Sequence, residues 1–155
     1  MSAGQTLRVG EPVPDLTLPD THGTPVALSE LRGEPLVLVF VPFAFSCTCT
    51  GELGELRDEI GLFDDAGARL VAVSCDAMFT LRAWAEREGY PFDLLSDFWP
   101  HGAAARAFGV LDESTGHALR GSFLVDADGV LRWSLVHPRG RARPLEAYRE
   151  ALAAL

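Results

Sequence analysis

The chain lacks the marks of a membrane, secreted or nucleic-acid-binding protein. Its longest apolar run, residues 36–45, falls well short of the roughly 20 residues that a membrane helix requires, so no membrane association is expected. Residues 1–10 hold no basic segment followed by an apolar stretch, so no secretory signal is read there and a cytoplasmic setting is expected. Basic charge is scarce, and a net charge of -9 opposes the phosphate contacts that a nucleic-acid binder needs. The one short basic cluster, Arg139, Arg141 and Arg143, reads as a solvated loop without a functional role.

Cysteine is also sparse. Three cysteines without an export signal suggest reduced thiols, which turns attention from cross-linking to reactivity. His22, His101, His117 and His137 show no paired spacing with Cys47 and Cys49, so neither a metal nor another cofactor is expected. His101, after Trp99 and Pro100, reads as a capping or packing residue. No repeat, low-complexity tract or long linker interrupts the chain, and a single domain over residues 1–155 follows.

What is present is an ordinary globular composition, 48% apolar and 23% charged, in a chain of 155 residues, long enough to bury a core without staples. Leu16–Leu18 and Val26–Leu28 flank a turn-rich segment and predict an N-terminal hairpin. Residues 36–41, rich in Val and Leu, predict a strand buried on both faces. Leu53, Leu56, Ile60 and Phe63 then recur at helical steps, with Gly67 placed to stop that helix. Residues 69–74 predict a second buried strand, followed by a helix carrying Leu81, Trp84, Ala85 and Glu88 on one side and closed by Gly89. A short strand near Phe92–Leu95 and a short helix near Gly102–Phe108 come next. Residues 121–126 and 130–136 predict a second hairpin, and Leu145, Tyr148, Leu152 and Leu155 share a face of a closing helix. This order implies an α/β fold, a mixed central sheet with helices on both faces and an N-terminal hairpin.

The chemistry concentrates in Pro42–Glu52, Pro-Phe-Ala-Phe-Ser-Cys-Thr-Cys-Thr-Gly-Glu, at the junction of the first buried strand and the first long helix. The carboxyl end of a central strand opens into the crevice where α/β proteins bind ligands. A cysteine in the first turn of the helix that follows meets unpaired backbone amides and the positive end of the dipole, which favour an anionic sulfur. That placement selects Cys49 as a nucleophile.

Pro42, Ser46 and Cys49 match the pattern P-x-x-x-[T/S]-x-x-C of the peroxiredoxins, with Cys49 at the position of the peroxide-attacking cysteine. The resemblance runs from about Val9 to Leu155. The stretches 49–58, 94–102 and 120–126 resemble the AhpE-type one-cysteine members. It implies a thioredoxin-like three-layer sandwich and a thiol-dependent peroxidase acting on hydrogen peroxide, organic hydroperoxides or peroxynitrite. It also places the family's arginine on Arg120. In that chemistry Arg120 offers a fixed fork of donors and a permanent charge to the departing oxygen. The Ser46 hydroxyl can donate to one peroxide oxygen, and Pro42, lacking an N–H, shields the sulfur. Each has a plainer reading: Pro42 as a strand end, Ser46 as a helix N-cap, Arg120 as a surface ion-pair partner.

Cys47 departs from the family, which usually has a small non-cysteine residue there. It is a candidate redox partner for the sulfenic acid of Cys49, or simply a tolerated small side chain. Cys75 reads as a packing residue. The resemblance implies a one-cysteine cycle in which a low-molecular-weight thiol and a redoxin-type reductant restore Cys49. It also implies a homodimer built around Phe43, Phe45, Phe98 and Trp99. Two other activities fit the cysteines less well: a thiol-disulfide oxidoreductase using Cys47 and Cys49, and a non-catalytic thioredoxin-fold module holding metal.

Overall fold

The computed structural model describes residues 7–155, so residues 1–6 of the segment read above for a secretory signal lie outside the described residues. In chain order the elements are β1 (Thr17–Pro19), β2 (Pro25–Ala27), a 3-10 turn (Leu28–Leu31), β3 (Leu36–Phe40), α1 (Cys47–Asp58), α2 (Ile60–Asp65), β4 (Arg69–Ser74), α3 (Met78–Glu88), β5 (Asp93–Ser96) and α4 (Ala103–Ala107). They are followed by β6 (Leu111–Asp112), β7 (His117–Ala118), β8 (Arg120–Val125), β9 (Leu131–His137) and α5 (Leu145–Ala153).

The main sheet has the order β5-β4-β3-β8-β9, and every residue of its central strand β3 is buried. Strands β4 and β5 run parallel to the centre, whereas β8 is antiparallel to β3 and β9 antiparallel to β8, which gives the mixed sheet expected from the element order. Side chains alternate between the faces of β3. Val37, Val39 and Val41 pack with Leu53, Leu56, Phe63, Leu81, Trp84 and Leu152 from α1, α2, α3 and α5. Leu36, Leu38 and Phe40 pack with Leu18, Leu31, Ala105 and Phe108 on the other side. Helices therefore lie on both faces, but unevenly: four cover one face, while the second is closed by α4, the 3-10 turn and the β1-β2 hairpin.

The helix predicted through Leu53, Leu56, Ile60 and Phe63 is broken into α1 and α2 at Glu59 (φ -112, ψ 28). Asp58 and Gly61 beside the break are weak helix formers, so the interruption costs little, and Leu56, Ile60 and Phe63 still reach the same cluster. Gly89 ends α3 in the left-handed region at φ 66, a conformation that a side chain would strain. The two-residue ladder of β6 with β7 was not foreseen, because its strands are too short to show alternation.

Candidate active site

Strand β3 runs out of the core through buried Val41 and Pro42 into a four-residue loop, Phe43–Ser46, and the chain then enters α1. Ser46 is the N-cap, with extended backbone (φ -66, ψ 148), and its Oγ accepts the Cys49 N–H at 3.2 Å. The Ser46 carbonyl accepts the Thr50 N–H at 2.8 Å, closing the first turn. A hydroxyl that accepts through a lone pair keeps its own proton to donate, so the cap leaves Ser46 able to bind an oxygen. Phe45, just before the cap, takes φ 67, the only positive φ of a non-glycine among the described residues.

Cys49 is fully buried in that first turn. Cys49, Glu52, Leu53 and Leu56 are all buried, at steps of three, one and three, so they form the inward stripe of α1. The stripe carries a carboxylate into the core one turn beyond the sulfur, where i and i+3 side chains are neighbours. Isolated, a buried carboxylate would be costly. Here it is met by two buried guanidiniums. Arg120 Nη1 donates to Glu52 Oε1, and Arg143 Nη2 donates to the same oxygen at 2.8 Å. Arg143 also donates to Glu52 Oε2 from its backbone N–H at 2.6 Å and from Nε at 3.0 Å.

Arg143 is fixed further by bonds from Nη1 to the carbonyls of Phe40 at 2.8 Å and Gly121 at 2.9 Å and to Ser122 Oγ at 3.1 Å. It thus ties the end of β3 to β8. Burial acts to raise the pKa of the Glu52 carboxyl. The hydrogen bonds and charge of Arg143, with the charge of Arg120, outweigh it and hold the group below its ordinary value. Burial likewise opposes the charge on Arg143, but Tyr148, Glu52 and Cys49 together raise it. Arg120 spends its Nε on the Arg139 carbonyl at 2.6 Å. Two guanidiniums and one carboxylate leave the cluster with one surplus positive charge.

Pro42 is buried and lines a groove of about 310 Å³ with Phe43, Cys75, Asp76, Phe98 and His117. Burial, then the charges of Asp97 and Asp76, push the Cys75 thiol up to about 12, which agrees with a packing role. Cys47 is exposed at the first position of α1. His101 is exposed and bonds the Gly116 carbonyl through Nε2 at 2.5 Å.

Four of the five residues singled out from the sequence, Pro42, Ser46, Cys47 and Cys49, lie on the β3-α1 junction, and Arg120 is joined to it through Glu52. Two readings are corrected. Arg120 is not a surface ion-pair partner but is 2% exposed, because β8 is an interior strand of the sheet. Arg143 is no part of a solvated loop: Arg139 and Arg141 are exposed, while Arg143 is 2% exposed because Glu52 and three further acceptors draw it inward. Glu52 was missed as well, although its position on the stripe with Leu53 and Leu56 was the signal for it.

Residues 9–134 match the model of the AhpC/TSA family. The chain belongs to that family. It is 42% identical over 150 residues to alkyl hydroperoxide reductase E of Mycobacterium tuberculosis, covering 96% of this chain and 98% of that protein. It is 29% identical to a peroxiredoxin of Thermoplasma volcanium, over 95% of this chain and 74% of the relative. The crystal structure of Mycobacterium tuberculosis peroxidoxin BcpB superposes with a TM-score of 0.86 at 30% identity, covering 96% of this chain and 98% of the other. That of Enterococcus faecalis AhpC gives 0.87 at 29%, covering 97% and 92%. The fold is thioredoxin-like, and the peroxiredoxin is a thiol-dependent peroxidase, an oxidoreductase with a peroxide substrate and a reductant partner. Among the described residues no helix is long and apolar enough to cross a membrane. No group of three or more His, Cys, Asp and Glu side chains there is arranged to hold a metal ion.

Proposed function

We propose that Cys49 is the sulfur that attacks peroxide, with Arg120, Ser46 and Pro42 completing its site. The observation that carries this reading is the surplus positive charge of the Glu52–Arg120–Arg143 cluster, buried one helical turn from Cys49. An anionic sulfur balances that charge, and so does the oxygen anion that leaves when the O–O bond breaks. The sulfur takes one peroxide oxygen and becomes a sulfenic acid, and the other oxygen departs as water, as an alcohol or, from peroxynitrite, in nitrite. Ser46 donates its hydroxyl proton to a peroxide oxygen, and Pro42 excludes water beside the sulfur without offering a competing donor.

Arg143 joins these residues in setting the charge of the site, a role supported by its burial and its bonds to Glu52. Hydrogen peroxide, organic hydroperoxides and peroxynitrite all carry the bond that this chemistry breaks. An external low-molecular-weight thiol or a redoxin-type protein returns the sulfur to its reduced form.

The protein acts as a single peroxiredoxin domain over residues 1–155, in the cytoplasm and as a homodimer. Phe43, Phe45, Phe98 and Trp99, all exposed around the site, are the apolar surface that the dimer covers. Sedimentation of the reduced protein at micromolar concentration tests the dimer, and a strictly monomeric species would refute it. Steady-state consumption of hydrogen peroxide and of a fatty-acid hydroperoxide, with dithiothreitol as reductant, tests the activity. Turnover of at least one is expected; no consumption of either by the fully reduced protein would overturn the reading.

A further inference from the structure

Two cysteines share the first turn of α1, one fully buried and the other facing solvent. In an ideal helix, residues i and i+2 have Cα atoms about 5.4 Å apart, within the roughly 4.4–6.8 Å that a disulfide spans. Their Cβ bonds, however, point about 200° apart around the axis, so the sulfurs cannot meet while the turn is helical. In extended backbone the same two side chains point to one face. Whether the pair can join therefore depends on how easily this turn unwinds.

The sequence makes it easy. Residues 47–51 read Cys-Thr-Cys-Thr-Gly, all from the weak end of the helix-forming scale, and the stronger formers Glu52, Leu53, Glu55, Leu56 and Arg57 follow. No atom lies within 4 Å of the place where a Cβ on Gly51 would stand, so packing gives no reason for a glycine there. The turn is also bracketed by fixed points. Upstream, Ala44 N–H is held by Asp76 Oδ2 at 2.8 Å. Downstream, Thr50 Oγ1 accepts from Trp84 Nε1 at 3.2 Å, and Glu52 is locked to its two arginines. Unwinding between these anchors breaks the Ser46 cap bond to Cys49, the Ser46–Thr50 backbone bond and the helical bonds of the unwound residues themselves, while the Glu52–Arg120–Arg143 cluster lies beyond it.

Resting on the peroxidase reading, we propose that Cys47 is a resolving cysteine, which joins the oxidised Cys49 in a disulfide within the unwound first turn of α1. Cys47 gives up its proton and attacks the sulfenic sulfur of Cys49 as a thiolate. The S–S bond forms, the S–O bond breaks, and the hydroxyl leaves as water with the Cys47 proton. Two equivalents of external thiol then reduce the disulfide and depart as a disulfide of their own. A ring this small is strained and its Cys47 end is exposed, both of which speed its reduction. The cycle carries the oxidising equivalent from a buried sulfur to the surface. Cys75 is no rival for the role, since burial beside Asp76 and Asp97 keeps it a thiol.

The test is intact mass and peptide mapping after one equivalent of hydrogen peroxide, on the reduced wild-type chain and on Cys47→Ser, whose exposed site tolerates the change. Cleavage after arginine puts Cys47 and Cys49 on the peptide 33–57 and Cys75 on the peptide 70–82. The wild type is expected to lose two hydrogens on 33–57, and Cys47→Ser to gain one oxygen there that dimedone traps. Diamide, which joins dithiols without transferring oxygen, is expected to give the wild type the same loss. If peroxide instead adds an oxygen to the wild-type Cys49 and leaves Cys47 free, the resolving step is overturned while the peroxidase reading stands. A chain-to-chain disulfide through Cys47 overturns it equally. If peroxide leaves the mass unchanged while diamide joins the pair, the peroxidase reading has failed and takes the resolving step with it.

Discussion

Cys49 and Cys75 are both buried beyond the carboxyl ends of adjacent parallel strands, Cys49 after β3 and Cys75 directly after β4. Their surroundings have opposite sign. Cys49 lies one turn from a cluster of two guanidiniums and one carboxylate, whereas Cys75 faces the carboxyl groups of Asp76 and Asp97. Burial costs either sulfur its solvation as an anion, so burial cannot separate a nucleophile from a packing residue. The charges around the two sulfurs separate them.

The largest effect is expected at Glu52, which holds the positive side of this contrast together. Glu52→Gln leaves two buried guanidiniums without a countercharge and should cost about 3–5 kcal/mol of unfolding free energy in urea titrations. A loss below about 1 kcal/mol would mean that the cluster is weaker than its bonds suggest. Next is Arg120→Ala, which removes one charged donor and should slow oxidation of Cys49 by hydrogen peroxide about 10² to 10³-fold in stopped-flow measurements. An unchanged rate would leave Arg143 as the sole cation that matters.

Acid sharpens the comparison by a smaller amount. The Glu52 carboxyl is held below its ordinary value in the folded chain, so its contribution is complete above the unfolded carboxylate range, about 4.3. That contribution is lost as pH falls through the lower folded value. The stability gap between wild type and Glu52→Gln should accordingly shrink as urea titrations move below about pH 4. A gap that is constant with pH would contradict the assignment. The smallest effect is at Cys75, whose thiol should resist iodoacetamide in the native chain at neutral pH and react only on unfolding. Rapid native labelling of the peptide 70–82 would erase the contrast.

Much of this fold was legible because it rests on short-range patterns. The unbroken apolar run of β3, the turn between β8 and β9, and the stripe of α5 each announce themselves within a dozen residues. The half of the site on the β3-α1 junction was legible for the same reason: Pro42, Ser46, Cys47 and Cys49 lie within one stretch of chain. The other half is non-local. Arg143 is 91 residues from Glu52, and nothing near Arg143 distinguishes it from exposed Arg139 and Arg141. What selects it is the carboxylate that α1 carries into the core, and that pairing exists only once the sheet has brought β3 and β8 together. A charged residue on an apolar helical stripe is the sequence sign of such a partner.

The central claim is that charge, not burial, decides which sulfur meets peroxide. The direct test is single-turnover oxidation of the reduced protein by hydrogen peroxide in Cys49→Ser and Cys75→Ser side by side, followed by the fluorescence of Trp84, which hydrogen-bonds Thr50 of the first helical turn. The account predicts that Cys75→Ser reacts at the wild-type rate and Cys49→Ser does not react. A Cys49→Ser chain that keeps the rate, or a folded Cys75→Ser chain that loses it, would contradict it.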